Sequence, residues 1–307
     1  MNWLIVPAIA VPLLVAAPFI AEFLRPRMNG SRRVSAPGAF ARLSGTLTHY
    51  QWRGPEDGDI VVCVHGLTTP SFVWQPIAKE LSDQGYRVLA YDLPGRGYSD
   101  RPDGIQNGDF FVRHLNELLK DQAVERSFIL CGYSMGGAIA AAYASRHPER
   151  AKRVVLLAPA GMGHDLGPIT KFAVKHEFLG KWLFYAIYPR SLRKSIAAEM
   201  HLETPIEGMH LRQMGETRLK GFTPSVLSSL RGMIDENLET AHREIAKNGT
   251  PALAIWGGGD DVIPIQGMET IAKWNPDVHQ HVVEDAGHSL AYTHHREVMK
   301  AIGEFLD

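Results

Sequence analysis

Residues 127–144 read SFILCGYSMGGAIAAAYA, and the passage through Gly132-Tyr133-Ser134-Met135-Gly136 decides how the rest of the chain is read. Ser127 to Cys131 is a short apolar run, as expected of a strand buried on both faces. Gly136 to Ala144 is rich in alanine, the strongest helix former. A serine at such a junction sits on a sharp strand-to-helix turn. Small residues at Gly132 and Gly136 let the backbone pass without colliding side chains. The turn thrusts the Ser134 Oγ into the open, and the helix behind it aims N-terminal NH groups at the same place, favouring negative charge there.

A serine hydroxyl is a poor nucleophile at neutral pH. It needs a base, and the base needs an orienting carboxylate. Later strands can deliver both. The apolar run ALAIW (252–256) leads into GGGDDVIP, so Asp260 or Asp261 emerges at its end. The run HVVE (281–284) leads into DAGHSL, so His288 emerges there. Taken singly, Asp260 could cap a turn and His288 could be one surface imidazole among 14. Together they fall in the order Ser134, acid, His288, at strand ends where the partners belong. A tetrahedral intermediate also needs two amide donors for its oxyanion. The NH of Met135, next to the serine, is one. The NH of Leu67, in the loop after VVCVHG, is the other, with His65 bracing that loop rather than acting as the base.

Around these points strands and helices alternate. Strand patterns cover 46–52, 59–64, 86–91, 127–131, 154–158, 252–256 and 281–284, with helical spacing at 72–84, 110–119, 136–144, 270–274 and 297–306. Alternation of this kind predicts a mostly parallel sheet with helices on both faces. Residues 163–230 break it, holding helical pieces rich in Met, Phe, Leu and Lys and few strand candidates. They read as a helical insertion over the sheet. The core is then split into 45–162 and 231–307.

The 307 residues are 45% hydrophobic and 21% charged, with net charge −1, so no basic face for nucleic acid is expected. Cys63 and Cys131 sit in apolar runs and read as buried free thiols. His279 and His281 could share a strand face, but no third ligand accompanies them, and neither metal nor cofactor is expected. At the N-terminus, 3–21 carries no charge and Arg25, Arg27, Arg32 and Arg33 follow it. Residues 1–24 are therefore expected to anchor the chain in a membrane, with the main domain on the cytoplasmic side. A cleaved signal peptide is the rival reading, lacking its usual leading cation. Residues 25–44, basic and broken by Pro and Gly, read as a linker.

Taken in order, HG after a strand, DLPGRGYSDRP (92–102), GYSMGG (132–137), WGGGDDVIP (256–264) and DAGHS (285–289) resemble the α/β-hydrolase superfamily over about residues 45–307. The resemblance implies a catalytic Ser134–Asp260–His288 triad, since Asp260 matches the first aspartate of the family's W-G-x-x-D arrangement. It makes DLPGRG a shaping turn and the 163–230 insertion a cap. Pro159-Ala160-Gly161 and the apolar N-terminus resemble membrane-anchored monoacylglycerol lipases of that superfamily. The expected activity is hydrolysis of carboxylic esters with small or lipid-like acyl groups, such as monoacylglycerols. The same triad would also serve carbon–carbon, lactone or amide hydrolysis. A non-catalytic binding module is the reading from another class. Substrate contacts are expected from Tyr133, Trp182 and Phe184, with Phe172, Phe178, Leu183 and Tyr185 as further apolar candidates of the cap.

Overall fold

The computed structural model describes residues 5–163 and 165–307, with side chains from Pro12 onward. The strands are β1 (Ala39–Leu43), β2 (Thr46–Arg53), β3 (Ile60–Val64), β4 (Arg87–Tyr91), β5 (Phe128–Tyr133), β6 (Ala151–Leu157), β7 (Ala252–Gly257) and β8 (His279–Val283). The helices are α1 (Ile5–Phe23), α2 (Gly30–Arg33), α3 (Gln75–Asp83), α4 (Gly108–Asp121), α5 (Met135–Arg146), α6 (Gly167–Lys175), α7 (Phe178–Ala198), α8 (Met209–Glu216), α9 (Phe222–Arg231), α10 (Glu239–Lys247), α11 (Gly267–Trp274), α12 (Leu290–Thr293) and α13 (His295–Leu306).

The strands form one sheet in the order β1-β2-β4-β3-β5-β6-β7-β8. The pairs β1–β2 and β2–β4 are antiparallel, and all the others are parallel. Every residue of β3, β5 and β7 is buried, which is why these strands read as unbroken apolar runs. Cys63 and Cys131 lie opposite each other on β3 and β5, both buried and both free. Helix α5 follows β5 directly, and its first ten residues are buried. That depth explains the run of Gly and Ala: the helix presses on the sheet with no room for larger side chains. Helices α6 to α9 lie between β6 and β7 in sequence and form the cap.

The N-terminal expectation needs correcting. Among the described residues, no helix is long and apolar enough to cross a membrane. Residues 1–4 of the expected anchor lie outside the described residues. The described part of α1 touches the cap at Leu14, Phe19 and Glu22. Phe19 packs on Phe178 and Tyr185, with ring centroids 5.9 and 5.6 Å apart. The Trp182 indole donates to Leu14 O. Glu22, buried in the last turn, accepts from Gly221 N at 2.7 Å and pairs with Arg25, which also donates to Thr223. An apolar run without charges satisfies a bilayer and an apolar protein surface equally, so hydropathy alone could not tell them apart. Membrane partnership and membrane location are withdrawn with it.

Residues 25–44 are likewise more than a linker. Ala39–Leu43 pairs with β2 through a tight turn at Ser44-Gly45, where both residues have positive φ (44° and 85°). Arg33 ties the preceding segment to Tyr98 O and Asp100. A five-residue edge strand made of Ala, Phe, Arg and Leu carries too little pattern to stand out beside its Pro and Gly neighbours.

The Asp92–Pro102 loop is held by buried charge. The Asp92 carboxylate accepts from His49, Ser71 N and Tyr98 N. Beside it Glu216 accepts from Gly97 N and faces Arg101. Burial, partly offset by Arg101, pushes the Glu216 carboxyl from 4.5 up to about 7. The folded chain therefore holds that proton more firmly than the unfolded chain does. This contribution to stability is complete below about pH 4.5 and is lost as pH rises toward 7. Urea unfolding of wild type should weaken across that window, and Glu216→Gln should remove this part of the slope.

Candidate active site

Ser134 leaves β5 at φ 55° and ψ −119°, a conformation that L-residues rarely adopt. Its backbone is bound on both sides, with its NH on Leu157 O and its carbonyl accepting from the NH groups of Gly137 and Ala160. The flanking glycines are forced by space. A Cβ on Gly132 would stand 2.2 Å from Gly136 O, and one on Gly136 would stand 2.1 Å from Val64 O and 2.6 Å from His65 O. Backbone cannot yield by that much without opening the β3–β5 edge. Gly136→Ala should therefore cost at least about 3 kcal/mol, read as a lowered denaturation midpoint.

His288 and Asp260 arrive from β8 and β7, three and two places along the sheet from β5. His288 Nε2 lies 3.0 Å from Ser134 Oγ, and its Nδ1 lies 2.8 Å from Asp260 Oδ2. The other carboxylate oxygen, Oδ1, accepts from the NH groups of Val262 and Ile263, each at 2.8 Å. An ionised carboxylate can only accept, so Nδ1 carries the ring proton and Nε2 presents its lone pair to the serine hydroxyl. Ser134 is 8% exposed and faces the cavity above it. Asp261 does not join this chain and instead lines the neighbouring cavity.

The loop after β3 comes close to the serine, with an ideal Gly66 Cβ only 3.2 Å from Ser134 Cβ. His65 is buried there. Leu93 N donates to its Nε2 at 2.8 Å, so its Nδ1 carries the proton and donates to Gly66 O. Burial pulls its pKa down to about 4, and it stays neutral. Leu67, next along, has its carbonyl held by Arg96 Nε at 2.9 Å. Arg96 is buried; desolvation lowers its pKa to about 9, leaving it cationic at neutral pH. It also reaches Pro94 O and Ser229 of α9, so one side chain joins two loops of the core to the cap. Met135 is the first residue of α5, directly after the serine.

A cavity of about 400 Å³ opens over Ser134 and His288. Tyr133 lines it, and its OH also donates to His288 O at 2.7 Å, so this residue holds the imidazole loop as well. Trp182 and Phe184 are placed elsewhere: Trp182 lies against α1, and Phe184 is buried beneath Tyr188, their rings stacked with centroids 4.2 Å apart. Tyr188, Leu192, Ser195, Ile196 and Glu199 line the cavity instead. Their spacing of four, seven, eight and eleven residues from Tyr188 marks one face of α7. That periodicity is written in the sequence, whereas the aromatic residues Trp182 and Phe184 lie on earlier turns of the helix. Glu199, Gln213 and Arg96 carried no sequence signal of their own, because their roles depend on cap-to-core contacts.

A family profile of the alpha/beta hydrolase fold matches residues 59–295. The 2-hydroxymuconate semialdehyde hydrolase of Pseudomonas sp. (strain CF600) is 29% identical over 76% of this chain and 80% of its own. Lipase 1 of Psychrobacter immobilis is 26% identical over 80% and 76% of the two chains. The crystal structure of the enol-lactonase from Burkholderia xenovorans LB400 superposes with a TM-score of 0.71 at 22% identity, covering 87% of this chain and 99% of that one. The chain belongs to the α/β-hydrolase fold family and is a hydrolase of that family.

Proposed function

We propose that the protein is a serine hydrolase that cleaves neutral carboxylic esters through an acyl-enzyme, with small or lipid-like acyl groups, monoacylglycerols among them. The unbroken chain from Ser134 Oγ through His288 to Asp260 carries this reading. Ser134 attacks the ester carbonyl carbon while His288 Nε2 takes its proton. The C=O π electrons move onto oxygen, where the NH groups of Leu67 and Met135 are the assigned donors, each worth roughly 10²–10³ in rate. Collapse expels the alcohol, protonated by His288, and leaves the acyl-serine. Water, giving its proton to His288, then releases the acid and restores Ser134.

Charge supports an ester over the carboxylate-bearing substrate that a muconate-derived name denotes. Among the described residues the cavity lining has no lysine or arginine, whereas Asp165, Glu199 and Asp261 all belong to it. Asp165 is paired with Lys171 at 2.8 Å, so the like charge that an anionic substrate would meet comes from Glu199 and Asp261. A fluorophosphonate probe should label wild type and leave Ser134→Ala unlabelled. Turnover should then favour neutral esters over an anionic diketone, and the opposite preference would move the chemistry to carbon–carbon cleavage.

A further inference from the structure

We propose that Glu199 and Gln213 of the cap form a subsite for the hydroxyl groups of the departing alcohol, so that polyol esters are preferred over simple alkyl esters. This deepens the ester-hydrolase reading and rests on it. The alcohol leaves toward His288, which must hand it a proton, so the remainder of that alcohol lies against whatever wall follows His288. Ser289 and Tyr292 are that wall. The Ser289 hydroxyl donates to Glu199 Oε2 at 2.6 Å, and the Tyr292 hydroxyl lies 3.4 Å from the same oxygen. On the opposite side Gln213 Nε2 donates to Thr69 Oγ1 at 2.9 Å, two residues beyond Leu67, and the Gln213 amide also bears on the Tyr292 phenol.

All five residues line the cavity over Ser134. A polar girdle therefore runs from the oxyanion loop through α8 and the end of α7 to the loop of the base. Its acceptors are not used up. Gln213 is 8% exposed, and its Oε1 is buried with no partner. Glu199 Oε1 receives neither Ser289 nor Tyr292. A buried acceptor without a donor is costly, and a ligand that brings the donor recovers that cost. Two acceptors beside a leaving-group position call for an alcohol with further hydroxyls, such as glycerol. Leu192, Ile196, Leu230 and Ile263 give the same cavity an apolar side that suits the acyl chain.

The test measures kcat/KM for the 1-monoacylglycerol, the propyl ester and the choline ester of a single fatty acid, so that acyl contacts cancel. Wild type should prefer the glycerol ester to the propyl ester at least ten-fold. In Gln213→Leu and in Glu199→Gln that ratio should fall about ten-fold, whereas a purely structural role would lower both esters together and leave the ratio intact. Where a variant does not fold, wild type supplies the readout: glycerol should inhibit propyl ester turnover at about ten-fold lower concentration than 1-propanol. A ratio near one, an unchanged ratio in folded variants, or equal inhibition by the two alcohols overturns the subsite and leaves ester hydrolysis standing. Preference for the choline ester overturns the polyol assignment in favour of a cation. Failure of wild type to turn over any ester or to take the fluorophosphonate label overturns the hydrolytic reading itself.

Discussion

Ser134→Ala should lower kcat on an ester substrate by about 10⁵–10⁶ while leaving the protein folded. The size follows from interdependence. Without the hydroxyl, His288 has no proton to take from the protein, and Asp260 has no imidazolium to stabilise, so the remaining groups act only by binding and by oxyanion stabilisation. Stability should barely change, because alanine at φ 55° bears the same steric burden as serine. Ser134→Gly would relieve that burden and should raise the denaturation midpoint, by about 1 kcal/mol in unfolding free energy. A dead yet unaltered alanine variant beside a dead and stabilised glycine variant identifies a strained nucleophile. A glycine variant no more stable than wild type would show that the turn stores no strain, and an alanine variant with a tenth or more of wild-type activity would remove Ser134 from the chemistry.

Asp260→Asn should cost about 10⁴ in kcat, and Asp261→Asn far less. The local hydrogen bonds dictate the outcome. Val262 N and Ile263 N both point at Oδ1 of residue 260 and will accept only an oxygen there. The asparagine must then place its NH2 at the Oδ2 position, facing His288 Nδ1. That ring nitrogen becomes an acceptor, the proton moves to Nε2, and the imidazole presents a donor to Ser134 where a base is required. Asp261 makes no contact of this kind and only borders the cavity. Equal losses in the two variants would assign the orienting carboxylate elsewhere. Because Asn preserves shape, a matching denaturation midpoint in Asp260→Asn would separate the tautomer effect from misfolding.

Much of the geometry of the candidate site is legible in the sequence. Ser134, Asp260 and His288 each follow an apolar strand run, and the sheet brings those three strand ends to one edge. Asp260 and Asp261 were adjacent candidates on strand position alone; the motif chose Asp260, and the geometry places that residue on His288 Nδ1. Other readings depended on what lies opposite a segment, which a linear pattern does not contain. Residues 1–24 have the hydropathy of an anchor, yet the described helix packs Phe19 on Tyr185 and Phe178 and buries Glu22 against Gly221. The aromatic cluster near Trp182 suggested a substrate wall, yet the cavity is lined by residues about two to five turns further on, from Tyr188 to Glu199.

The sheet, the sharp turn at Ser134 and the chain order of Ser134, Asp260 and His288 follow from the sequence alone. Strand burial, glycine placement and helix propensity are local properties, written in neighbouring residues. The cavity, the bracing of Leu67 by Arg96 and the polar cluster of Glu199, Gln213, Ser289 and Tyr292 arise only once the chain is folded. Those depend on how a helical cap settles on the core, and side chains distant in the chain meet there through packing that no short-range pattern encodes.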